Sequence, residues 1–550
     1  MSLINTNLYV NPFKPQGKTK SNETELGLFY TNDMHGDVNR LSKFKTAHDM
    51  FKKENKDTPN LSLAAGDCLF GSDKQRNSLM VKLFNWMGLD ALALGNHEFA
   101  GGTEGLADSL DKAEFQSVSA NIDVTADNNP LQKSIKDKKL VKSAVFMKGG
   151  HKFAVIGASP FDSYINTVDK DVKPKALKET IKAINKETKE LEKQGVNKII
   201  LLSHLGYGEQ GDLAVARQTE GVDIIVGGHT HTTIDGVNKT APANRNDVHK
   251  LNLLMSKRNE PVMITQAGGM NEYAGYLNAV FDEKGVLKTD KIVNKLVNLN
   301  SLEESKEANE LMDKELGKKI KLADVKGSYN VNSSYKERNE ENPLQNAYAD
   351  AMLEAGKKYG AEISLYHAAT LRGGAEGQIT NYDVKYTMLP FNNEITIVDI
   401  TEKDLIEVLK RTAGSILTSK DDAQLLRPSG MEYSVRNDKE YFLNGGTEPI
   451  SDVKVNGREI DVKNPDENRT VRMAFNSYLF SMPRTKDVMA KYKPGAITVG
   501  REQEIFSEYL QNQKEVDFTK KEQRVKLSAQ YNGWGDFEDA QREVMEKLGA

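Results

Sequence analysis

Six short, almost unbroken apolar runs recur along the first half of the chain, at residues 26–30, 61–65, 91–94, 153–156, 199–202 and 224–226. Runs of this length, bounded by polar residues, suit strands covered on both faces. Between them the period changes. Over 175–194, Leu177, Ile181, Ile184 and Leu191 recur at helical spacing among lysines and glutamates, which puts one apolar stripe on a helix. Strands alternating with helices predict an α/β fold, in which ligands gather at the carboxyl ends of the strands. Residues 261–282, which contain Gln266-Ala267-Gly268-Gly269, read as the strands that close this domain.

Near residue 300 the pattern shifts. Residues 301–321 are dense in Glu, Lys, Leu and Ala with few breakers, and predict a solvated linker helix. Beyond it, a helix over 342–358, a strand over 395–398 and many turns describe a mixed domain. Residues 531–548 predict a terminal amphipathic helix. A chain of 550 residues exceeds one core, so two domains are expected. Their boundaries read as 22–299 for the first, 300–325 for the linker helix, 326–530 for the second and 531–550 for the terminal helix.

Composition narrows the function classes. Charged residues make up 28% of the chain but nearly cancel to a net charge of −4, so no basic field marks a nucleic-acid polymer as partner. The single cysteine, Cys68, excludes an internal disulfide and any cysteine zinc cluster, and reads as a packing residue. Residues 1–27 lack the apolar core of a secretory signal, and no run approaches the ~20 residues of a membrane span. As it stands the chain reads as cytoplasmic.

The candidate chemistry sits at the ends of the apolar runs. There the chain reads Thr31-Asn32-Asp33-Met34-His35-Gly36, Gly66-Asp67, Gly95-Asn96-His97-Glu98, Ser203-His204 and Gly227-Gly228-His229-Thr230-His231. Carboxylates, an amide and imidazoles at one edge of a sheet are ligands for hard or borderline metal ions and point to metal-assisted hydrolysis of a phosphate ester. A competing pattern, Gly206-Tyr207-Gly208-Glu209-Gln210-Gly211, has the spacing of a dinucleotide loop. The acid that should close the following strand, Asp223, instead opens one, and His204 occupies the turn a pyrophosphate needs.

These motifs, in this order, resemble the calcineurin-like metallophosphoesterases. With the second half, the chain resembles the bacterial 5'-nucleotidase, UDP-sugar hydrolase and 2',3'-cyclic phosphodiesterase family. The resemblance implies a four-layer α/β sandwich, a linker helix and a smaller α+β C-terminal domain that carries substrate onto the metals. It implies two divalent ions, drawn from Mn, Zn, Fe, Mg or Ca. One would take Asp33, His35, Asp67 and His231; the other would share Asp67 and take Asn96, His204 and His229. His97 would stabilise the transition state or protonate the leaving group, with Asn96 beside it. By the same likeness Arg338 and Arg372 would grip phosphate, Phe391 and Tyr478 would stack on a base, and Asn393 would lie in the same loop as Phe391.

The chain departs from the family in three places. Ala100 stands where a carboxylate usually partners the histidine. His367-Ala368-Ala369-Thr370 replaces a glycine-rich turn, and Ser481-Met482-Pro483-Arg484 replaces the stretch holding the ribose-binding Asp. The expected activity is phosphate release from nucleoside monophosphates. A diesterase on cyclic nucleotides or nucleotide sugars is the alternative, and a non-catalytic binding protein on the same fold stands against an intact ligand set. The resemblance also suggests a periplasmic or secreted location, against the cytoplasmic reading of the N-terminus.

Overall fold

Along the strand Thr24–Thr31 successive side chains enter two different cores. Leu26, Leu28 and Tyr30 join Leu61, Leu63, Val155, Ile200, Leu202 and Val226 in a buried cluster. Phe29 points the other way, with its ring 5.2 Å from Phe44 and 5.7 Å from Phe51 on the helix Leu41–Glu54. The second sheet has the same two-residue period. Ile200, Leu202, Ile224 and Val226 face inward, whereas Ile199, Leu201 and Ile225 pack with Ile181, Ile184 and Leu191 of the helix Leu177–Lys193. Two sheets thus lie face to face with helices outside each, a four-layer mixed α/β sandwich.

The structure is a computed structural model. It describes residues 22–548 except 70, 72, 162–164, 166–167, 240–249, 330–340, 419–424, 521 and 532–533. In spatial order the first sheet runs Val293–Asn298, Tyr273–Phe281, Thr24–Thr31, Asn60–Ala64, Ala91–Ala93, Gln116–Val118, Leu140–Val141. The second runs Thr233–Ile234, Pro261–Ala267, Ile224–Gly227, Ile199–Ser203, His151–Ala158, Ser143–Lys148. Thr24–Thr31, Asn60–Ala64 and Ala91–Ala93 are mutually parallel, as are His151–Ala158, Ile199–Ser203 and Ile224–Gly227. Every strand that precedes a candidate ligand motif therefore ends at the same edge of its sheet.

The chain divides into two units between Lys318 and Lys319. Residues 301–321 are not one solvated helix. Ser305 caps a helix Lys306–Leu316, whose Ala308, Met312 and Leu316 are buried against the helices Leu41–Glu54 and Lys74–Met87. Gly317, at φ 87°, ends it, and Lys321–Tyr329 is a strand. That strand pairs with Ala375–Thr380 and Glu515–Asp517, partners far away in sequence, and long-range pairing overrides the local helical composition.

The second unit holds a five-stranded sheet in the order Leu426–Ser429, Ile363–His367, Thr470–Asn476, Glu394–Thr401, Ile497–Arg501. The helices Pro343–Lys357 and Glu402–Gly414 contribute to the cores on it, and the terminal helix Trp534–Leu548 adds Phe537, Ala540 and Val544. Among the described residues no helix is long and apolar enough to cross a membrane.

Phe29 is 1% exposed and holds the outer core of the first sheet. Phe29→Ala is expected to destabilise the first unit by about 3–5 kcal/mol. Denaturant unfolding followed by circular dichroism measures this, and a loss below about 1 kcal/mol would mean that the aromatic cluster repacks.

Candidate metal centre

Five candidate ligands sit in the left-handed backbone region: Asp33, His35, Asp67, His229 and His231, with φ between 49° and 74°. L-residues avoid this region at a cost of about 1–2 kcal/mol each. Here it turns each strand end sharply, so that side chains from separate loops converge. Asp33 N–H donates to the Gly66 carbonyl and His35 N–H to the Asp67 carbonyl, which staples the first two loops together.

The convergent atoms fall into overlapping groups. Asp33, His35 and His231 each bring one ligand atom within 4.8 Å of the others, and so do Asp67, His204 and His229, and His35, Asp67 and His97. Asp33 Oδ1 is 3.3 Å from His231 Nε2 and 3.7 Å from His204 Nε2, and the Nε2 atoms of His35 and His231 are 2.9 Å apart. Asn96 Oδ1 lies 3.2 Å from His229 Nδ1. Gly95 and Gly228 admit this crowding. A Cβ on Gly95 would lie 2.8 Å from His204 Nε2 and closer still to Asp67 Oδ1, and one on Gly228 would lie 2.6 Å from His204 Nδ1.

His204 tests whether a cation fits. It is fully buried, and its Nδ1–H donates to the Ala65 carbonyl at 2.7 Å, which leaves Nε2 directed at the carboxylates. That Nε2 lies 3.1 Å from Asp67 Oδ2 and 3.7 Å from Asp33 Oδ1. A backbone carbonyl that fixes the tautomer and leaves a buried lone pair is the usual environment of a metal-bound histidine. The residues fit divalent cations.

The charge balance agrees. Burial opposes ionisation of Asp33 and Asp67, but the neighbouring histidines outweigh it and hold both below the ordinary carboxylate range. Burial also opposes a charged His204, yet Asp67 and Asp33 lift it to about 10. His35 is pushed down to about 4, mainly by burial. A cation would displace the His204 proton, because both answer the same pair of carboxylates.

The second unit presents its candidates separately. The Arg372 guanidinium lies 4.9 Å from the Phe391 ring centre, and Phe391 is 59% exposed. Tyr478 makes an edge contact with His367 at 5.3 Å. Asn393 donates from both backbone and side chain to the buried Glu502, which also accepts from Tyr348 and Asn476. Arg338 lies outside the described residues.

Residues 28–233 match the calcineurin-like phosphoesterase family model, and residues 320–484 match the 5'-nucleotidase C-terminal domain. The chain carries a calcineurin-like phosphoesterase domain followed by a 5'-nucleotidase C-terminal domain. Among its relatives, the trifunctional nucleotide phosphoesterase protein YfkN of Bacillus subtilis is 29% identical over 539 residues, 88% of this chain and 34% of that protein. A probable 5'-nucleotidase of Treponema pallidum is 26% identical over 485 residues, 76% of this chain and 77% of that protein. The chain thus spans about a third of the Bacillus subtilis relative. The crystal structure of a 5'-nucleotidase precursor from Thermus thermophilus superposes with a TM-score of 0.60 at 26% identity, covering 92% of this chain and all of that one.

Within this phosphoesterase domain, three supporting residues escaped the sequence reading although each lies inside a motif that it singled out. Asn32 donates to Asp33 Oδ2 at 2.7 Å and to the Gly268 carbonyl, and accepts from Ala267 N–H. Gln266 donates to the Gly228 carbonyl and accepts from Thr232 N–H, which braces the loop of His229 and His231. The buried Glu98 gathers backbone amides; burial first, then Asp67, push its carboxyl up to about 7. Their signal was an uncharged amide or extra acid in a conspicuous motif, which sequence alone does not separate from a ligand.

Gly95→Ala is expected to weaken divalent-cation binding at least about tenfold, the lower range for perturbed ligand support. Titration calorimetry with Mn²⁺ checks this, and unchanged affinity would show that the Gly95 loop yields.

Proposed function

We propose that this chain is a metal-dependent phosphohydrolase of the 5'-nucleotidase type, releasing phosphate from nucleoside monophosphates. One observation carries the reading: Asp33, His35, Asp67, Asn96, His204, His229 and His231, from five separate loops, converge at one edge of the sandwich. In this reading Asp33, His35, Asp67 and His231 hold one divalent ion, and Asp67, Asn96, His204 and His229 hold the second. Such ions supply Lewis acidity to a phosphate and acidify a water.

The chain's own groups do the rest. Asp33, fastened by Asn32 and by the His229 amide, keeps Oδ1 toward His35, His204 and His231. His97, whose backbone N–H donates to Asp67 Oδ1 at 2.8 Å, stacks edge-on to His35 with ring centres 4.5 Å apart. It is placed to steady charge on the phosphate or to give a proton to the departing oxygen. In the second unit, Phe391 offers a largely exposed ring to a base, and the adjacent Arg372 offers forked donors to an anion. Ala100 leaves His97 without the usual carboxylate partner, and Ser481 to Arg484 leave the ribose without its usual acceptor.

A diesterase reading has support of its own, since the Bacillus subtilis relative covering 88% of this chain is named a trifunctional nucleotide phosphoesterase. Hydrolysis assays with Mn²⁺ on AMP, 2',3'-cyclic AMP and UDP-glucose separate the two. AMP is expected to be turned over fastest, and faster turnover of the cyclic ester would give the diesterase reading precedence. No turnover of any phosphate ester would end both.

Asp67→Ala is expected to abolish hydrolysis and empty both cation sites, as read by elemental analysis. His97→Asn should keep the metal content while turnover falls roughly 10²–10⁴-fold. Metal loss in His97→Asn would instead make His97 a ligand.

Phe391→Ala should raise KM for AMP by a stacking contribution of about 1–3 kcal/mol, with far less effect on glycerol phosphate. Equal effects on the two substrates would mean that Phe391 only packs.

A further inference from the structure

Glu98 is buried, at 3% exposure, and takes no part in the converging ligand groups. Its carboxylate is nevertheless the most heavily used acceptor near them. Oε2 accepts from Asp67 N–H at 2.8 Å and from Gly95 N–H at 2.7 Å. Oε1 accepts from Cys68 N–H at 2.8 Å and Leu69 N–H at 3.1 Å. Four backbone donors, three from the loop after Asn60–Ala64 and one from the loop after Ala91–Ala93, end on one side chain. In return, Asp67 Oδ1 accepts from His97 N–H. The two loops are therefore laced in both directions, and each lacing passes beside a residue of the metal centre.

We propose that Glu98 is a positioning residue that clamps the Asp67 loop onto the Asn96–His97 turn, fixing the Asp67 carboxylate relative to Asn96 and His97. The geometry requires a carboxylate of this length. Only a carboxylate accepts at four places without offering a donor. In glutamine, the amide NH₂ would face two backbone N–H groups whichever way it turned. Aspartate, one methylene shorter, would not span the distance to both loops. Glutamate thus serves as a four-acceptor plug for a backbone concavity.

The catalytic consequence rests on the phosphohydrolase reading, but the clamp itself does not. The test uses the full chain with Glu98→Gln and Glu98→Asp. Peptide-level hydrogen exchange across residues 66–69 and 94–98 reads the clamp, Mn²⁺ titration calorimetry reads the metal centre, and AMP hydrolysis reads catalysis. Both variants are expected to exchange faster in those two segments and to bind Mn²⁺ about 10–100-fold more weakly. At saturating Mn²⁺, kcat should fall by on the order of 10²-fold, as displaced reacting groups do, with KM little changed. A lower melting temperature with exchange, Mn²⁺ affinity and kcat all as in the parent would reduce Glu98 to a stability residue and overturn the proposal. If Glu98→Gln does not fold, Glu98→Asp gives the same three readings. If the parent hydrolyses no phosphate ester, the activity reading falls, while exchange and Mn²⁺ affinity still decide the role of Glu98.

Discussion

Two buried carboxylates at the ends of neighbouring strands set the terms for the first unit. Asp33 and Asp67 follow the parallel pair Thr24–Thr31 and Asn60–Ala64 and lie at 0% and 2% exposure. Burial raises the affinity of both for a proton, and Asp67 adds to that for Asp33. Such charges persist only where partners compensate for lost water. His204, His231 and the amides of His229 and His97 provide that compensation, and divalent cations would complete it. The left-handed backbone at five candidate ligands, and glycines where any Cβ would collide, follow from crowding so many polar groups around one pair of anions.

The sandwich makes this crowding tolerable. Strands whose side chains alternate between two apolar cores are stiff, and their hydrogen-bonded registers fix where each ends. Loops leaving such ends inherit that precision over a few residues. Polar cross-links then take over: Asn32 to Gly268 and Ala267, Gln266 to Gly228 and Thr232, Glu98 to four amides. The metal centre is supported less by hydrophobic packing than by amide and carboxylate groups that satisfy loop backbone.

The second unit follows a different logic. Phe391 stands largely exposed beside the Arg372 guanidinium. Asn393, two residues on, is instead committed inward, to Glu502. The same loop therefore offers one residue outward and anchors itself with another. The anchor, a buried glutamate shared by Tyr348, Asn393 and Asn476, ties the loop to the helix Pro343–Lys357 and the strand Thr470–Asn476.

Much of this was legible in the chain itself. Nearly unbroken apolar runs predicted the strands of the first unit, and a helical period predicted the helix Leu177–Lys193, because burial leaves a regular trace in the chain. The ligand motifs were legible because metal chemistry restricts residue types and strand ends restrict their places. The linker was misread because Lys321–Tyr329 becomes a strand only through partners far along the chain, Ala375–Thr380 and Glu515–Asp517, which no local window contains. Likewise the sequence listed Asn32, Glu98 and Gln266 but could not assign them, since a side chain that braces a backbone amide uses the same atoms as one that binds a metal. Residue type determined what chemistry the chain could host. Which side chains converge, and which merely hold others in place, was decided by strand register and loop closure, which exist only once the two sheets have packed.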